Sequence, residues 1–363
     1  MDFDLTEDQR DLDGLAAELL GRETVTERLE AHEKSGAAYD LAAWKALAQA
    51  GLLGIALPEE AGGAGLGSVE LAVVLRAIGA HVAPVPAYAS LALAAVPIGR
   101  HGSAAQKALL APVADGETVL TGAIREPGDE VRTTATRDGD GWLLDGIKTF
   151  VPYATAAAKI LVPARTETGI RVFLVGPEQV ELAPHPASTG EPMSRIALIG
   201  VRVGADDVLG DGAWDTLRRS AIAGAVATAS GVVDGALKLT TEYVKTRQQF
   251  DRALAEFQAV TMQIGDVYIA KRAIDVAMWA AVWRLDQDAP DIDEVLSIAA
   301  YNAADPVVKA LYTCQHLHGG IGLDVTYPLH RYFAWAKHYA HLLGGAETQL
   351  DALGAQLIGS HTC

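Results

Sequence analysis

Cysteine is nearly absent. The 363 residues hold two, Cys314 and Cys363, and their spacing forms neither a zinc-binding pattern nor a disulfide framework. No metal site is expected, and a reduced, cytoplasmic compartment fits best. Positive charge is also short: 29 Lys and Arg face 46 Asp and Glu, for a net charge of −17. Such a chain is repelled by phosphate backbones, and no Lys/Arg stripe offsets this, so neither nucleic acid nor an anionic membrane surface is an expected partner. The start, MDFDLTEDQRDL, is acidic and amphipathic and does not read as a signal peptide. The blandest stretches, 87–99 and 221–233, are too short or too rich in Ala and Gly to read as bilayer spans. Internal repeats and low-complexity linkers are missing too. What remains is a chain of which half is hydrophobic, long enough for two or three packed units with a large core.

Residues 1–115 read as an N-terminal helical domain. TEDQRDLDGLAAELL opens with Thr6 and Gln9 in capping-box spacing, then places apolar residues three and four apart. LAAWKALAQAGLLG (41–54) and VELAVVLRAIGAHV (69–82) read as further helices, the second buried on most sides. GGAGLG (62–67) has neither a preceding strand nor dinucleotide-fingerprint spacing, and reads as a loop between helices. From Gly116 the pattern shifts to short β-branched runs, with DGDG (138–141) as a hairpin turn. Residues 116–207 read as a β-domain. Helical periodicity returns over 208–363, with one helix of about 50 Å from residue 213 and three more stretches at 257–286, 292–318 and 328–357. The fold class is α+β: helices, a central β-barrel or sandwich, then a four-helix bundle.

The informative motif is YVKTRQQFDRALAEFQAV (243–260). Its Tyr-x-x-x-Arg-x-x-Phe, followed by Leu254, Phe257 and Gln258, resembles the acyl-CoA dehydrogenase flavoprotein family. A second match is CQHLHGGIGLDVTYPLHRYFAWAK (314–337), similar to the family's Gln-x-x-Gly-Gly-x-Gly segment. LTEDQRDL, WKALAQAGLLGIALPEEAGGAGLG and LLAPVADGETVLTGAIREP resemble its N-terminal landmarks, so the likeness covers essentially the whole chain. The resemblance implies FAD as cofactor and α,β-desaturation of an acyl-CoA thioester as the chemistry. It implies that Arg247 makes charge-assisted bonds to the FAD pyrophosphate, that Gln249, Phe250 and Gln258 contact the cofactor, and that Gly319 and Gly320 let the backbone approach it closely. The family's Gln falls on His316, with Gln315 one residue earlier, so both are candidates.

In this family one chain supplies the flavin-ring and acyl pocket, and a neighbour supplies the Arg-x-x-Phe and Gly-Gly elements. The ring side departs from the pattern here. AIREPGDEV keeps Glu126 and Pro127 but has Arg125 for Thr and lacks the Gly-Ser-Asp loop. GIKTFVPYA keeps Gly146 and Lys148 but has Phe150 for Trp and Pro152 for Thr/Ser; proline offers no donor. The chemistry needs a carboxylate as general base, yet the two family positions fall on Leu343 and Ala221. Glu347, His338 and His341 are the only nearby substitutes by residue type. The expected reading is a subunit of a heteromeric (α2β2) actinobacterial acyl-CoA dehydrogenase that contributes the trans half of the FAD site. Its partner would be a homologous chain carrying the catalytic Glu and binding the acyl-CoA, with an electron-transfer flavoprotein as acceptor. A self-sufficient homotetramer with a relocated base, a flavin-free scaffold or acyl-CoA binder, and a flavin monooxygenase on the same fold are the alternatives.

Overall fold

The computed structural model describes residues 4–128 and 130–360. Helix α1 (Glu7–Glu23) starts on the expected capping box: the Thr6 hydroxyl accepts from the Gln9 N–H, and the Gln9 side chain accepts from the Thr6 N–H. Helix α2 spans Thr26–Ser35 and α3 spans Leu41–Gln49. Asp40 caps α3 by accepting from the Ala42 and Ala43 N–H groups, which turns Ala43, Trp44 and Leu47 into the core. GGAGLG is a loop, as expected. Gly63 lies against the Leu57 backbone, where a Cβ has no room. Helix α4 (Ser68–Ala80) buries Leu71 to Leu75 and Ala77 to Gly79. The stretch Tyr88–Ala95 winds as a π-helix with all eight residues buried, a feature the periodicity did not foretell. Short helices α5 (Val96–His101), α6 (Ala104–Lys107) and α7 (Ala111–Ala114) follow.

Seven strands form one mixed sheet: β1 Val119–Gly122, β2 Thr134–Asp138, β3 Gly141–Pro152, β4 Ala157–Thr166, β5 Gly169–Val175, β6 Glu181–His185 and β7 Met193–Val203. The order is β1-β4-β2-β3-β7-β6, with β5 on the opposite edge of β4. DGDG makes the expected two-residue hairpin: Asp138 pairs with Gly141, and Gly139 takes a φ of +60°. Leu144, Ile160, Val162, Phe173 and Ile196 form the centre of this unit's apolar core.

Helix α8 runs unbroken over Ala213–Thr246. It is long and apolar enough to cross a bilayer, but 89% of its apolar window is buried within the protein, so it is a core helix. A two-stranded hairpin, β8 (Gln248–Gln249) and β9 (Arg252–Ala253), leads to α9 (Gln258–Asp286). Two expected helices are each broken in two. Residues 292–318 become α10 (Ile292–Ala304) and α11 (Pro306–His318), because Pro306 has no N–H to continue the ladder. Residues 328–357 become α12 (Leu329–Leu342) and α13 (Gly345–Ser360), parted where Gly344 and Gly345 both take positive φ.

By contacts the chain forms two compact units that interleave in sequence. One comprises the residues up to Thr26, Ser68–Ala83 and those from Ile222 onward; the other comprises Glu27–Gly67 and Pro84–Ala221. Within the first unit, α4 and α8 touch backbone to backbone. A Cβ on Gly79 would strike the Thr228 carbonyl, and one on Gly231 the Arg76 carbonyl. Beside this contact Arg76 and Lys271 face Asp234 and Asp275, and Ser230 donates to Asp275 at 2.6 Å. These ion pairs are mostly buried and share partners, so each charge has a countercharge within the network.

Candidate functional site

The α8 helix ends by delivering Arg247. The Arg247 N–H closes the last helical turn onto the Tyr243 carbonyl (2.8 Å), and its own carbonyl accepts from Leu254 N–H (2.9 Å) across the hairpin. Its guanidinium is exposed and makes no hydrogen bond or ion pair among the described residues. Between β8 and β9 the two turn residues, Phe250 and Asp251, both take positive φ (54° and 61°). A bulky aromatic rarely adopts this conformation, and such strain marks sites that the surroundings hold in place. The Phe250 ring is 87% exposed, with only the edge of Phe257 near it. Gln249 folds onto the neighbouring Gln248 carbonyl. Gln258 is exposed at the first position of α9, whose first turn has no acidic residue.

The Gly-Gly turn comes to the same place. Tyr243 lies one helical turn before Arg247, and its ring stacks on His318 at 4.3 Å with an interplanar angle of 20°. Gly319 follows with a φ of +64° and a ψ of −140°. Gly319 and Gly320 are exposed and have open space where a Cβ would be. The two candidates for the family's Gln separate clearly. Gln315 is turned inward and donates to the Gly322 carbonyl (3.4 Å), whereas His316 is exposed. The structure thus brings Arg247, Phe250, Gly319 and Gly320 to one end of the first unit. It adds His318 and Tyr327, which motif matching passed over. The adjacency of His318 to Gly319 was the one signal available.

The ring-side residues lie in the second unit and are occupied with one another. The Lys148 ammonium is 0% exposed and donates to Glu126 Oε1 (2.5 Å) and the Pro163 carbonyl (2.6 Å). Glu126 also accepts from the backbone N–H groups of Arg132 and Thr133. Burial pushes Lys148 down and Glu126 pulls part of the way back, which leaves it at about 8. Burial opposes ionisation of Glu126, but Lys148 and the Thr133 and Arg132 donors together hold its carboxyl below the usual value. The retained pair therefore explains itself as a structural clamp. Phe150 sits in a β-bulge with a φ of 52° and packs edge-on against His185 at 4.5 Å. Pro152 closes β3, and its carbonyl accepts from Thr121 (2.7 Å).

The two base positions are apolar and buried. Ala221 is 2% exposed, and its carbonyl accepts from the buried Tyr88 hydroxyl at 3.3 Å. Burial, helped by Glu191, drives the Tyr88 phenol up beyond its ordinary range. Leu343 is 7% exposed and caps α12; its carbonyl accepts from Gln349 at 2.6 Å. Glu347 is exposed in the first turn of α13, where a carboxylate favours the helix dipole. No group of three or more His, Cys, Asp or Glu that could hold a metal occurs among the described residues.

Comparisons with known proteins agree with this architecture. Residues 6–117 match the acyl-CoA dehydrogenase N-terminal domain, and residues 217–358 match the acyl-CoA dehydrogenase C-terminal domain. The chain is 36% identical over 357 residues to acyl-CoA dehydrogenase FadE28 of Mycobacterium tuberculosis, covering 98% of this chain and 99% of the relative. Among solved structures it is similar to a variant of the Tcur3481-Tcur3483 steroid ACAD (TM-score 0.94, 39% identity, 98% of this chain and 99% of that one). It is also similar to a chain of the ChsE4-ChsE5 complex from Mycobacterium tuberculosis (TM-score 0.94, 33% identity, 99% of both chains). By sequence, fold and site elements, the chain belongs to the acyl-CoA dehydrogenase family of oxidoreductases.

Proposed function

We propose that this chain is the base-lacking subunit of a heteromeric acyl-CoA dehydrogenase and supplies the trans half of an FAD site to a homologous partner. The observation that carries the reading is the contrast between its two half-sites. Arg247 and Phe250 stand exposed and uncommitted, while both base positions are apolar core. The ring-side motif residues Glu126 and Lys148 bind each other.

The exposed end fits FAD in kind. An exposed, unpaired guanidinium on the hairpin that leads into α9 suits an anionic pyrophosphate. Arg247 would hold the pyrophosphate. Gln249, Phe250 and Gln258 would cover the adenosine half or the flavin edge. Gly319 and Gly320 would let the backbone approach, with His316 as the side chain at the family's Gln position and Gln315 bracing the turn from behind. When bound, FAD supplies the hydride-accepting function for α,β-desaturation of an acyl-CoA. This chain's residues orient the cofactor and do not move the substrate proton. The partner chain supplies the carboxylate base, the flavin-ring pocket and the acyl-CoA site, and an electron-transfer flavoprotein takes the electrons. Two similar solved structures carry paired subunit names, ChsE4-ChsE5 and Tcur3481-Tcur3483, which supports a heteromer.

The test is co-expression with a homologous chain that carries the Glu, followed by FAD quantification. One FAD per two chains is expected, with none retained by this chain alone. Arg247→Ala in the complex removes a charge-assisted contact worth about 1.5–3 kcal/mol, so FAD retention weakens by about ten- to a hundredfold. One FAD per chain in an active homo-oligomer would refute the proposal.

A further inference from the structure

We infer that His318 is a positioning residue that locks the Gly319–Gly320 turn to the end of α8, so that the turn backbone and Arg247 meet the flavin as one surface. The inference rests on the half-site reading above and adds a residue with no cofactor contact of its own.

Three sides of His318 are engaged, each by a different element. Its Nδ1 lies 2.8 Å from the Cys314 carbonyl within α11. A carbonyl only accepts, so Nδ1 carries the hydrogen and Nε2 of the neutral ring is an acceptor. Nε2 is 3.2 Å from the Tyr327 hydroxyl, in the segment that leads into α12. The ring face stacks on Tyr243 of α8, and the Tyr243 hydroxyl donates to the His318 carbonyl at 3.3 Å. That carbonyl belongs to the peptide joining His318 to Gly319, so the plane from which the Gly-Gly turn departs is fixed by α8 itself.

The need for such a clamp follows from the turn. Two successive glycines have the widest backbone freedom of any pair, and both are exposed. Gly319 occupies a region that other residues rarely enter. Further along, the Asp324 carboxylate accepts from the Thr326 N–H and hydroxyl, and Gln315 holds Gly322. These contacts order the loop internally. Two residues tie it to the helix that ends in Arg247: Tyr327 by an edge contact with the Tyr243 ring at 6.3 Å, and His318 by the closer stack and the hydrogen bond to its carbonyl. A histidine that merely filled core space would use its shape; this one uses both ring nitrogens, one ring face and its carbonyl.

The experiment uses the co-expressed complex with His318→Phe, which keeps a stacking ring and deletes both ring hydrogen bonds. Companion variants are Tyr327→Phe, His318→Gln and Arg247→Ala. FAD dissociation, the visible flavin spectrum, subunit assembly and melting temperature are measured for each. His318→Phe is expected to raise the FAD dissociation constant about tenfold and Tyr327→Phe about fivefold, with assembly intact. Their effects combine less than additively, and His318→Gln recovers part of the loss because its amide oxygen accepts from Tyr327. If His318→Phe binds FAD normally while Arg247→Ala does not, the positioning role is refuted and the half-site reading stands. If Arg247→Ala also binds normally, the half-site reading falls and takes this inference with it. Loss of FAD that only tracks a lower melting temperature, with no recovery in His318→Gln, overturns the inference as well. Should His318→Phe fail to assemble, Tyr327→Phe, which lacks one hydroxyl, decides alone.

Discussion

Removing the Lys148 ammonium should destabilise the β-sheet unit without touching the flavin half-site. In Lys148→Met the Glu126 carboxylate stays buried with two backbone N–H donors but no countercharge, and the Pro163 carbonyl loses its donor. Breaking one side of a buried ion pair costs about 3–5 kcal/mol, a large share of the ~5–15 kcal/mol that holds a domain together. For a unit of 150–250 residues, each kcal/mol moves the melting temperature by about 2–4 °C, so a fall of about 6–20 °C is expected. Glu126→Gln leaves the opposite charge stranded and should cost about as much. The double variant removes both charges and should be milder than the sum of the two by about 2 kcal/mol or more. Urea titration followed by circular dichroism gives the stabilities, and FAD content of the complex below the transition should be unchanged. A Lys148→Met protein that melts within about 2 °C of the parent would refute the clamp. So would a double variant no milder than the sum of the singles.

Three further outcomes follow from the geometry. Gly231→Ala places a Cβ on the Arg76 carbonyl and should cost about 3 kcal/mol or more, whereas Gly265→Ala, with open space at its Cβ inside α9, should gain about 0.5–1 kcal/mol by denaturant titration. Ala221→Glu forces a carboxylate into a 2%-exposed site whose carbonyl Tyr88 already occupies. It should cost about 3 kcal/mol or more and leave the lone chain inactive toward acyl-CoA in a dye-reduction assay. Acid should weaken the fold monotonically. Burial holds His81, His101 and His318 below their ordinary value, so the unfolded chain takes up protons first as pH drops below about 6.5. The depressed carboxyls of Glu126 and Asp234 extend the loss to lower pH. Greater stability at pH 5 than at pH 7.5 would contradict this.

The sequence revealed elements whose signal is local. The α8 helix announced itself by period, the β2–β3 hairpin by DGDG, and the α1 start by Thr6 and Gln9. Strand β6 stayed hidden because Glu181–His185 is short, polar and carries Pro184, a residue that suits the sheet edge where this strand lies. The π-helix at Tyr88–Ala95 stayed hidden because uniformly apolar residues carry no period to read. Pro306 was read through as part of one helix over 292–318, but proline suits the first position of a new helix, and that is the place it takes. In the site, Arg247 and the glycines were legible as motifs. The bond from Tyr88 to Ala221 joins residues 133 positions apart, and the Tyr243–His318 stack joins residues 75 apart. No spacing rule reaches that far.

The Phe250–Asp251 turn has a consequence for the speed of assembly. Both turn residues are left-handed, and the strands on either side are already paired, so the Phe250 ring is held outward before any partner arrives. The backbone that presents the ring needs no ordering on contact, and the entropy of fixing the hairpin is spent during folding rather than at association. Docking of the two chains should then be governed by encounter and orientation, with a single concentration-dependent phase and no slow rearrangement after it.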